Sequence, residues 1–592
     1  MHDPFKLVIL SLISSIVLGF FLITYRFFYP KKKFNLLVLL ILISILPIIS
    51  IFRPGTYQAG DLTLHSVLLQ SFYSNLTQGN LFPQWAGDLC GGYGCPAHMF
   101  EYPLPYYIAS VFHFFGFNYI DSIKLLLSFS FIASGIFMFL WLRTETGKLP
   151  AFVGSLFYLF APYHLEDLHF RASVGEVLSF VPIPLVFLFI KLFVTRKNKI
   201  YFFLLAIAVS LLILAHGNTL MSIAPLIPLY ILFLIKDSKA KIRDFTLTSL
   251  SIVFGFLFTA FYWVPTLIEI KYTWYTLSQF GITDFKPIME HIISPIRFGF
   301  LFQGHMGELR LIIGYFHLIV VVFAFYLIYK KRKLGNQKML LYLLLFSFFV
   351  YFFMLLEISR PIWETLPFFK SFTFPWRFLL PLSFVTSAIS AIVFKNIKNK
   401  KIAYLFGFLV VMTTILNWGN RQMVPIDKYA FFSHIWGYSE YYVPNNPEYK
   451  QIYMSRVVNE AQIVRDRPTN PLVFLSGSGE YEKIAKKNTL HEYIVDVTQK
   501  ATLVENTNYF LGWTLYVNDK PSKISFEDKK NFGKVVFSLD KGTYDIRLQF
   551  QDTKVRFFSK IVSLLAFLII FPVFINYFFQ RLRYIFAKLS HD

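Results

Sequence analysis

The motif GDLTLH (Gly60–His65) begins a polar, aromatic stretch that continues as GNLFPQWAGDLCGGYGCP (Gly79–Pro96) and ends as FEYPLPYY (Phe100–Tyr107). The stretch lies between apolar runs long enough to cross a bilayer. Long irregular connections are usually functional or disordered, and its aromatic residues without a charge run argue against disorder. Because Asp61 follows the preceding apolar run by only about nine residues, we expect it at the membrane surface.

The composition indicates a membrane protein. Hydrophobic residues make up 55% of the chain and aromatic residues 20%, whereas charged residues make up only 15%. The net charge of +23 would suit a nucleic-acid binder, but Lys and Arg lie mainly in short loops between apolar runs. Orientation in the bilayer explains this distribution better, so we expect membrane lipids and no nucleic acid as partners.

Apolar segments of spanning length recur along the chain and predict a polytopic α-helical membrane protein of about 13 spans. The predicted spans are 7–28, 34–52, 119–141, 149–163, 177–194, 200–215, 218–235, 246–267, 311–329, 339–356, 377–394, 402–418 and 557–579.

Short basic loops follow alternate spans, and by the positive-inside rule they face the cytoplasm. These loops are Lys31–Lys33, Arg196–Lys197, Lys236–Arg243, Lys330–Lys333 and Lys395–Lys401. The opposite side, here called the outer side, then receives the long connections 53–118, 164–176, 268–310, 357–376 and 419–556. This orientation places the N-terminus outside and the C-terminus inside.

Three regions follow from these assignments. Residues 1–419 form a transmembrane domain that contains the first outer loop, 53–118. Residues 420–556 carry more charge, and apolar and polar residues alternate there between turn signals such as Asn518-Asp519. Alternation with regular turns predicts an external, mostly β domain, folded as an antiparallel β-sandwich. Residues 557–592 form a last transmembrane helix and a basic cytoplasmic tail.

Ionisable residues are scarce in the middle of the spans and gather at their outer ends. They are Asp121, His164, Glu166, Asp167, Arg171, Glu176, His216, Glu269, Glu357 and Arg377. Ion-coupled transporters need charged groups near the midplane, so this distribution favours a polar site at the outer membrane surface. The alternative is that these residues only mark the membrane interface.

Asp61 has two compatible interpretations. A carboxylate just after a span can act as a general base at the membrane surface, and an Asp before an apolar helix is also a common N-cap. His65 lies one helical turn further along the same face. The aromatic side chains of Trp85 and Tyr102 could stack on sugars, or could form an interfacial belt.

The two cysteines of the chain, Cys90 and Cys95, both lie in the first outer loop. An extracytoplasmic position allows a disulfide. A metal site needs more ligands than this pair, although His98 is near. We therefore favour a disulfide or free thiols over a metal.

Taken together, the motifs of the first outer loop resemble those of the GT-C membrane glycosyltransferases. Within that superfamily they are most similar to bacterial YfhO-type proteins and to 6-pyruvoyl-tetrahydropterin-synthase-related membrane proteins, a title that implies no pterin chemistry. Further stretches agree with the resemblance: APYHLEDLHFRASVGE (161–176), LAHGNT (214–219), FYWVP (261–265), FTFPWRFL (372–379), SEYYVPNN (439–446), FLGWTLYVND (510–519) and LDKGTYDIRLQF (539–550).

The resemblance implies a multi-pass plasma-membrane enzyme that transfers a sugar from a polyprenyl-phosphate donor to a glycan, lipid or protein acceptor on the outer face. Asp61 matches the acid of the family's first loop and would be the base of an inverting reaction. Phosphate requires Arg, Lys or a cation, and Arg171 and Arg377 are the candidates. The other predicted substrate-binding residues are His65, Trp85, Tyr102, His164, Glu166, Glu176 and His216.

Some relatives bind a divalent cation such as Mg²⁺ or Mn²⁺, but no HxxxH or DxD spacing predicts ligands for one here. Two other classes of protein stay open. A lipid or polysaccharide transporter would need polar residues through the membrane, and few are seen. A non-catalytic envelope assembly protein would use its β domain for binding.

Overall fold

The computed structural model describes residues 6–273, 311–419, 423–424 and 470–589, apart from Gln58, Gly91, residues 331–333, Asn336, Ser371, Thr373, Glu527, Lys529 and Phe532. Most of the predicted connection 268–310, most of the basic loop Lys330–Lys333, the motif SEYYVPNN and the first third of the predicted β domain lie outside the described residues.

Helices account for most of the described chain. In order they are α1 (Lys6–Phe28), α2 (Leu36–Ile48), α3 (Leu62–Thr77), α4 (Ala97–Phe100), α5 (Leu104–Phe114), α6 (Tyr119–Thr146), α7 (Lys148–Leu159), α8 (Pro162–Glu166), α9 (Val174–Ser179), α10 (Pro182–Arg196), α11 (Lys199–Ala215), α12 (Gly217–Ile223), α13 (Leu226–Ile235), α14 (Lys241–Phe258), α15 (Ala260–Glu269), α16 (Tyr315–Tyr329), α17 (Gln337–Phe353), α18 (Arg360–Thr365), α19 (Pro367–Lys370), α20 (Leu379–Asn396), α21 (Lys400–Met412) and α22 (Lys554–Leu589). A π-helical turn, Asp167–Arg171, follows α8.

The helices agree with the predicted spans. Within the described residues, six helical segments are long and apolar enough to cross a membrane, and three bent pairs pass the same test. The pairs are α12–α13, α14–α15 and α17 with the helical turns Glu357–Thr365, bent by 45°, 69° and 83°. Four shorter apolar helices coincide with the remaining predicted spans. The polytopic helical fold is confirmed, and the number of crossings stays a prediction.

Helix α20 lies at the centre of the helical domain, and most of its side chains are buried. It packs closely on α7 because small residues face each other: a Cβ atom on Gly154 would lie only 2.9 Å from the Ser387 carbonyl oxygen. Small residues permit this close approach of helix backbones in membrane proteins. The packing fixes α20, and Arg377 lies in the 3₁₀ turn Pro375–Phe378 that precedes this helix.

The β domain contains six of the eight described strands. The strands are β1 (Thr56–Tyr57), β2 (Met423–Val424), β3 (Leu472–Lys486), β4 (Leu490–Asn508), β5 (Trp513–Val517), β6 (Lys520–Ser522), β7 (Lys534–Leu539) and β8 (Gly542–Phe550). Strands β1 and β2 form a separate antiparallel pair that joins the start of the first outer loop to the end of the helical domain.

The remaining strands form one antiparallel sheet in the order β3-β4-β8-β5-β6. The long strand β4 pairs with β8 along its first half and with β7 along its second half. The antiparallel β domain predicted from the alternation is therefore present, but its described strands are connected as one sheet instead of the two sheets of a sandwich. Val495, Leu503 and Leu515 belong to its buried core.

The β domain packs directly on the first outer loop. Trp85, only 1% exposed, belongs to the hydrophobic core of the β domain and contacts the rings of Trp513 and Phe550 at centroid distances of 5.4 and 5.3 Å. Asn508 donates hydrogen bonds from its backbone N–H to the Tyr93 carbonyl and from its side chain to the Gly94 carbonyl. This interface holds the first outer loop against a folded domain.

We expect Trp85→Ala to weaken this interface more than any surface change. Truncation of a buried Trp typically costs about 3–5 kcal/mol of stability, because it removes contacts and leaves a cavity. The measurement is the thermal unfolding of purified protein in detergent, with Trp85→Phe as the control that retains an aromatic ring. If Trp85→Ala melts at the wild-type temperature, Trp85 does not stabilise this interface.

The orientation of the helices in the membrane predicts which loops are accessible from outside. We expect a membrane-impermeant maleimide to label Lys541→Cys in intact cells, and Lys398→Cys only after permeabilisation. Both positions are exposed, and the native Cys90 and Cys95 form a disulfide and do not react. The reverse labelling pattern would invert the assignment of the outer side.

Candidate functional site

The site begins where the first outer loop meets the π-helical turn after α8. The backbone N–H of Gly60 donates to the Phe170 carbonyl and that of Asp61 to the Arg171 carbonyl, both at 2.8 Å. Asp61 precedes α3 at the expected N-cap position, but its side chain makes no capping hydrogen bond. The capping role predicted from the sequence is therefore wrong for the side chain, and the carboxylate accepts no hydrogen bond from the described residues.

Glu176 joins the two arginines of the site. Its Oε1 atom lies 3.0 Å from Nη2 of Arg171 and 3.1 Å from Nε of Arg377. The hydroxyl of Tyr163 donates a hydrogen bond of 2.6 Å to Oε2 of Glu176. Glu176 is only 1% exposed and holds both guanidinium groups in place, and its predicted contact with substrate stays a prediction.

The two arginines differ in what they can still bind. Both terminal nitrogens of Arg171 are engaged, by Asp167, Glu176 and the hydroxyl of Tyr163. Arg377 uses Nε for Glu176 and Nη1 for the Phe372 carbonyl, at 2.9 Å, which leaves Nη2 without a partner among the described residues. Of the two candidate phosphate ligands, Arg377 therefore retains the larger capacity for a further anion.

The charges of these groups act on Asp61. Burial raises the pKa of the Asp61 carboxyl, the positive charges of Arg171 and Arg377 lower it, and Glu176 raises it. A second carboxyl, Glu101, lies near enough to be affected by Asp61 and Arg377, and burial raises its pKa to about 8. The Glu101 carboxyl is therefore largely neutral at neutral pH.

Aromatic and imidazole rings form one side of the site. The Tyr102 ring lies 5.1 Å from that of His216, 6.2 Å from that of His65 and 6.4 Å from that of Tyr106. A Cβ atom on Gly175, the residue before Glu176, would lie 2.6 Å from the Tyr102 ring, so this contact requires glycine.

Both predicted histidines of this side are buried and hydrogen-bonded. Nδ1 of His65 is hydrogen-bonded with the Tyr106 hydroxyl at 2.8 Å, and Nδ1 of His216 with the Thr219 hydroxyl at 2.9 Å. Burial lowers the pKa of His65 to about 3, so its imidazole is neutral near pH 7. The histidines therefore offer hydrogen bonds instead of positive charge.

Two predicted substrate-binding residues, Trp85 and His164, lie elsewhere. Trp85 is buried in the interface with the β domain and has no face open for a sugar. His164 is fully buried and stacks on Phe180 at 3.7 Å, inside the helical core. Glu166 precedes the π-helical turn, and its charge acts on Asp167. The burial of Trp85 and His164 contradicts their predicted contact with substrate, whereas that of Glu166 stays a prediction.

Sequence reasoning did not single out Glu101 or Tyr163 as members of the site, and it named Asp167 only among the ionisable residues at the outer ends of spans. Glu101 is the only acidic residue of the motif FEYPLPYY, which was quoted as a whole. That isolated carboxylate between aromatic residues was the available signal. Tyr163 gave no comparable signal, because its role depends on the position of Arg171.

The predicted divalent cation has no ligand set among the described residues. No group of three His, Cys, Asp or Glu side chains there is arranged to hold a metal ion. Within the site, Arg171 and Arg377 already neutralise Glu176. The positive charges of these two arginines would repel a metal ion. We therefore assign no residue to Mg²⁺ or Mn²⁺. Cys90 and Cys95 form a disulfide, one of the two states that the sequence left open.

A small, partly open pocket lies next to position 101. The first outer loop and the bent pair α14–α15 line it, through Phe82, Pro83, Gln84, His98, Met99, Pro103, Tyr107, Phe261, Tyr262 and Pro265. Its lining is mostly apolar and aromatic, and the residues at positions 99 and 103 flank Glu101 on either side.

This fold and site define a polytopic membrane protein with a charged, aromatic-lined site between its first long loop and its helix bundle. Residues 100–423, more than half of the chain, match the family model of the 6-pyruvoyl-tetrahydropterin synthase related domain, described as a membrane protein. The chain belongs to this family, which confirms the family predicted from the motifs.

A relative from Lactococcus lactis subsp. cremoris (strain MG1363), named as an uncharacterized protein, is 26% identical over 259 residues. The match covers 42% of this chain and 42% of the relative, so it spans less than half of either.

Among solved structures, the arabinofuranosyltransferase AftD from mycobacteria aligns with 68% of this chain and 28% of its own, at 13% identity and a TM-score of 0.45. An oligosaccharyltransferase of Archaeoglobus fulgidus aligns with 74% of this chain and 60% of its own, at 13% identity and a TM-score of 0.40.

Proposed function

We propose that this protein is an integral membrane glycosyltransferase. It transfers a sugar from a polyprenyl-phosphate donor to a glycan, lipid or protein acceptor on the outer face of the plasma membrane. The observation that carries this proposal is that one site contains an unengaged carboxylate, Asp61, and an arginine, Arg377, whose charge acts on Asp61 and whose Nη2 has no partner among the described residues. A base and a phosphate ligand are the two groups that such a transfer needs.

In the proposed reaction the acceptor hydroxyl gives its proton to the Asp61 carboxylate while its oxygen bonds to the anomeric carbon of the sugar. The bond between that carbon and the phosphate oxygen breaks, and its electron pair stays on the phosphate. Attack opposite the leaving phosphate inverts the configuration of the anomeric carbon. The phosphate leaves as an anion, so it needs charge stabilisation more than protonation.

Arg377 supplies that stabilisation through its remaining N–H groups. Arg171 and Glu176 keep Arg377 in position, since Oε1 of Glu176 contacts both guanidinium groups. The Tyr102 ring offers an aromatic surface on which a sugar can stack. The neutral imidazoles of His65 and His216 lie behind this ring and set its position.

Sugar transfer by membranes that contain the protein tests this proposal. Membranes are incubated with a panel of radiolabelled polyprenyl-phosphate sugars, and labelled acceptor is separated from labelled donor. We expect transfer from at least one donor with the wild-type protein and not with membranes that lack the protein. Absence of transfer from every donor in the panel would contradict the proposed reaction.

A non-catalytic assembly protein is the second candidate, because the β domain packs on the same loop that carries the site. Such a protein would bind its ligand as well in the Asp61→Asn variant as in the wild type. It would also show no sugar transfer in either form, whereas a glycosyltransferase transfers sugar as the wild type and loses transfer, but not binding, in Asp61→Asn.

A further inference from the structure

His98 is a buried histidine that has no role in the reaction proposed above. It lies in α4, is only 3% exposed and lines the small pocket next to position 101. Its Nε2 atom is hydrogen-bonded with the hydroxyl of Ser71 on α3 at 3.1 Å. Its Nδ1 atom is buried and has no hydrogen-bond partner among the described residues. Buried polar atoms without a partner are uncommon, so this nitrogen is a candidate contact for a ligand.

The hydrogen bonds of Ser71 decide what the Nδ1 atom of His98 can do. The Ser71 hydroxyl donates its one proton to Oδ1 of Asp88, so it can only accept a hydrogen bond from the imidazole. Burial lowers the pKa of His98 to about 3, so the ring is neutral at pH 7 and carries one N–H. Because that N–H is on Nε2, the Nδ1 atom has a free lone pair and accepts a hydrogen bond, for example from a hydroxyl group.

The first outer loop and α15 together form the pocket and hold His98 in place. Thr266 of α15 donates a hydrogen bond of 2.9 Å to the carbonyl of Met99, the residue after His98. The rings of Phe82 and Phe261, which both line the pocket, pack edge to face at a centroid distance of 5.2 Å. The pocket has room for a water-sized group and is partly open, so one hydroxyl can enter while the rest of its ligand stays outside.

The pocket lies along the helix that begins after Asp61. Ser71 is ten residues further along α3, which corresponds to a rise of about 15 Å. Tyr107 lines the pocket, and its neighbour Tyr106 is hydrogen-bonded with His65, one turn after Asp61. The first outer loop therefore connects the pocket to the proposed transfer site, over a distance that is too long for a single sugar ring to contact both.

We propose that this pocket is a second carbohydrate subsite, in which Nδ1 of His98 accepts a hydrogen bond from a hydroxyl of the acceptor. The inference rests on the proposed function and narrows its acceptor to a glycan or glycolipid of more than one sugar. One sugar presents the reacting hydroxyl to Asp61, and another places a hydroxyl in the pocket. The exposed ring of Phe82 offers an apolar surface to that second sugar.

The test is binding of methyl glycosides to the full-length protein in lipid nanodiscs, measured by saturation-transfer-difference NMR. The panel contains the methyl glycosides of glucose, galactose, mannose and N-acetylglucosamine. We expect saturable binding of at least one of them. His98→Gln should raise its dissociation constant about three- to tenfold, because the Gln amide can still donate to Ser71 but leaves no acceptor at the position of Nδ1.

Monodeoxy analogues of the bound glycoside identify the hydroxyl that His98 contacts. One analogue should bind the wild type about three- to tenfold more weakly than its parent. His98→Gln should bind this analogue as well as it binds the parent, because both changes remove the same hydrogen bond. His113→Gln, which changes a histidine of α5 outside the pocket, is the matched control and should bind like the wild type. Thermal unfolding shows that both variants are folded.

Three results would overturn the subsite: no saturable binding of any glycoside, wild-type affinity in folded His98→Gln, or a wild-type protein that binds every monodeoxy analogue as well as the parent. The last result needs only the wild type, so it decides even if His98→Gln does not fold. Sugar transfer without glycoside binding that depends on His98 would remove this subsite and leave the proposed function. Glycoside binding that depends on His98, with no transfer from any polyprenyl-phosphate donor, would overturn the proposed function and the acceptor role together.

Discussion

Asp61→Asn is expected to lower the rate of sugar transfer about 10²–10⁴-fold while donor binding is retained, because the variant loses only the general base. Asn has nearly the shape of Asp but cannot accept the proton of the acceptor hydroxyl. The measurement is initial-rate sugar transfer by the purified variant at saturating donor. A rate within a few-fold of the wild type would remove Asp61 from the catalytic step.

The structure also predicts the thermal stability of variants at Asp61. The Asp61 side chain makes no capping hydrogen bond, so both Asp61→Asn and Asp61→Ala should unfold at nearly the wild-type temperature. A purely structural Asp61 predicts the opposite result, normal turnover in the Asn variant and a folding defect in the Ala variant. Asp519→Asn, at an exposed turn of the β domain, is the matched control and should leave transfer unchanged.

The pH profile of the wild-type enzyme is expected to reflect the same carboxyl. The base must be ionised, so activity is present above the pKa of Asp61 and is lost as the pH falls through it. Because burial raises this pKa above its ordinary value, the acidic limb should lie at higher pH than for an exposed aspartate.

Arg377→Ala is expected to raise the KM for the donor about 10–100-fold, the usual range for loss of one charge-assisted hydrogen bond. Arg377→Lys should recover only part of this loss, because Lys lacks the planar, two-pronged guanidinium that can bind Glu176 and phosphate together. The measurement is the dependence of the transfer rate on donor concentration for the wild type and both variants.

Two controls separate donor binding from folding. Arg360→Ala removes an exposed arginine that pairs with Glu357 and Glu364, and it should leave the donor KM unchanged. Thermal unfolding of Arg377→Ala then shows whether the protein stays stable when Glu176 keeps only Arg171 as its ionic partner. Wild-type kinetics in a stable Arg377→Ala variant would exclude Arg377 and make Arg171 the better candidate.

Two arginines predicted as equivalent phosphate ligands differ in the structure for a geometric reason. The π-helical turn directs the Arg171 guanidinium back toward Asp167 and Glu176. In Arg377, by contrast, the Phe372 carbonyl and Glu176 engage only Nη1 and Nε. The spacing of the two residues in the chain contains no information about this difference. It depends on how the turn after α8 and the start of α20 meet.

The apolar runs of the sequence were sufficient to predict the helices, because a chain in a lipid bilayer must satisfy its backbone hydrogen bonds within each segment. Alternation was likewise sufficient for the strands of the β domain. The first outer loop, with Asp61, His65 and Tyr102, was recognised as the centre of a site because its composition contrasts with the apolar segments around it. Each of these features is local, so a single sequence contains it.

Only the tertiary structure decided which side chains meet. Trp85 and Tyr102 belong to the same loop, yet one is buried against Trp513 and the other lines the site. Glu101 and Arg377 are far apart in the sequence, but the fold brings them close enough for their charges to interact. Such contacts join residues far apart in the chain, and they depend on how helices and sheet pack, which no local spacing of residues specifies.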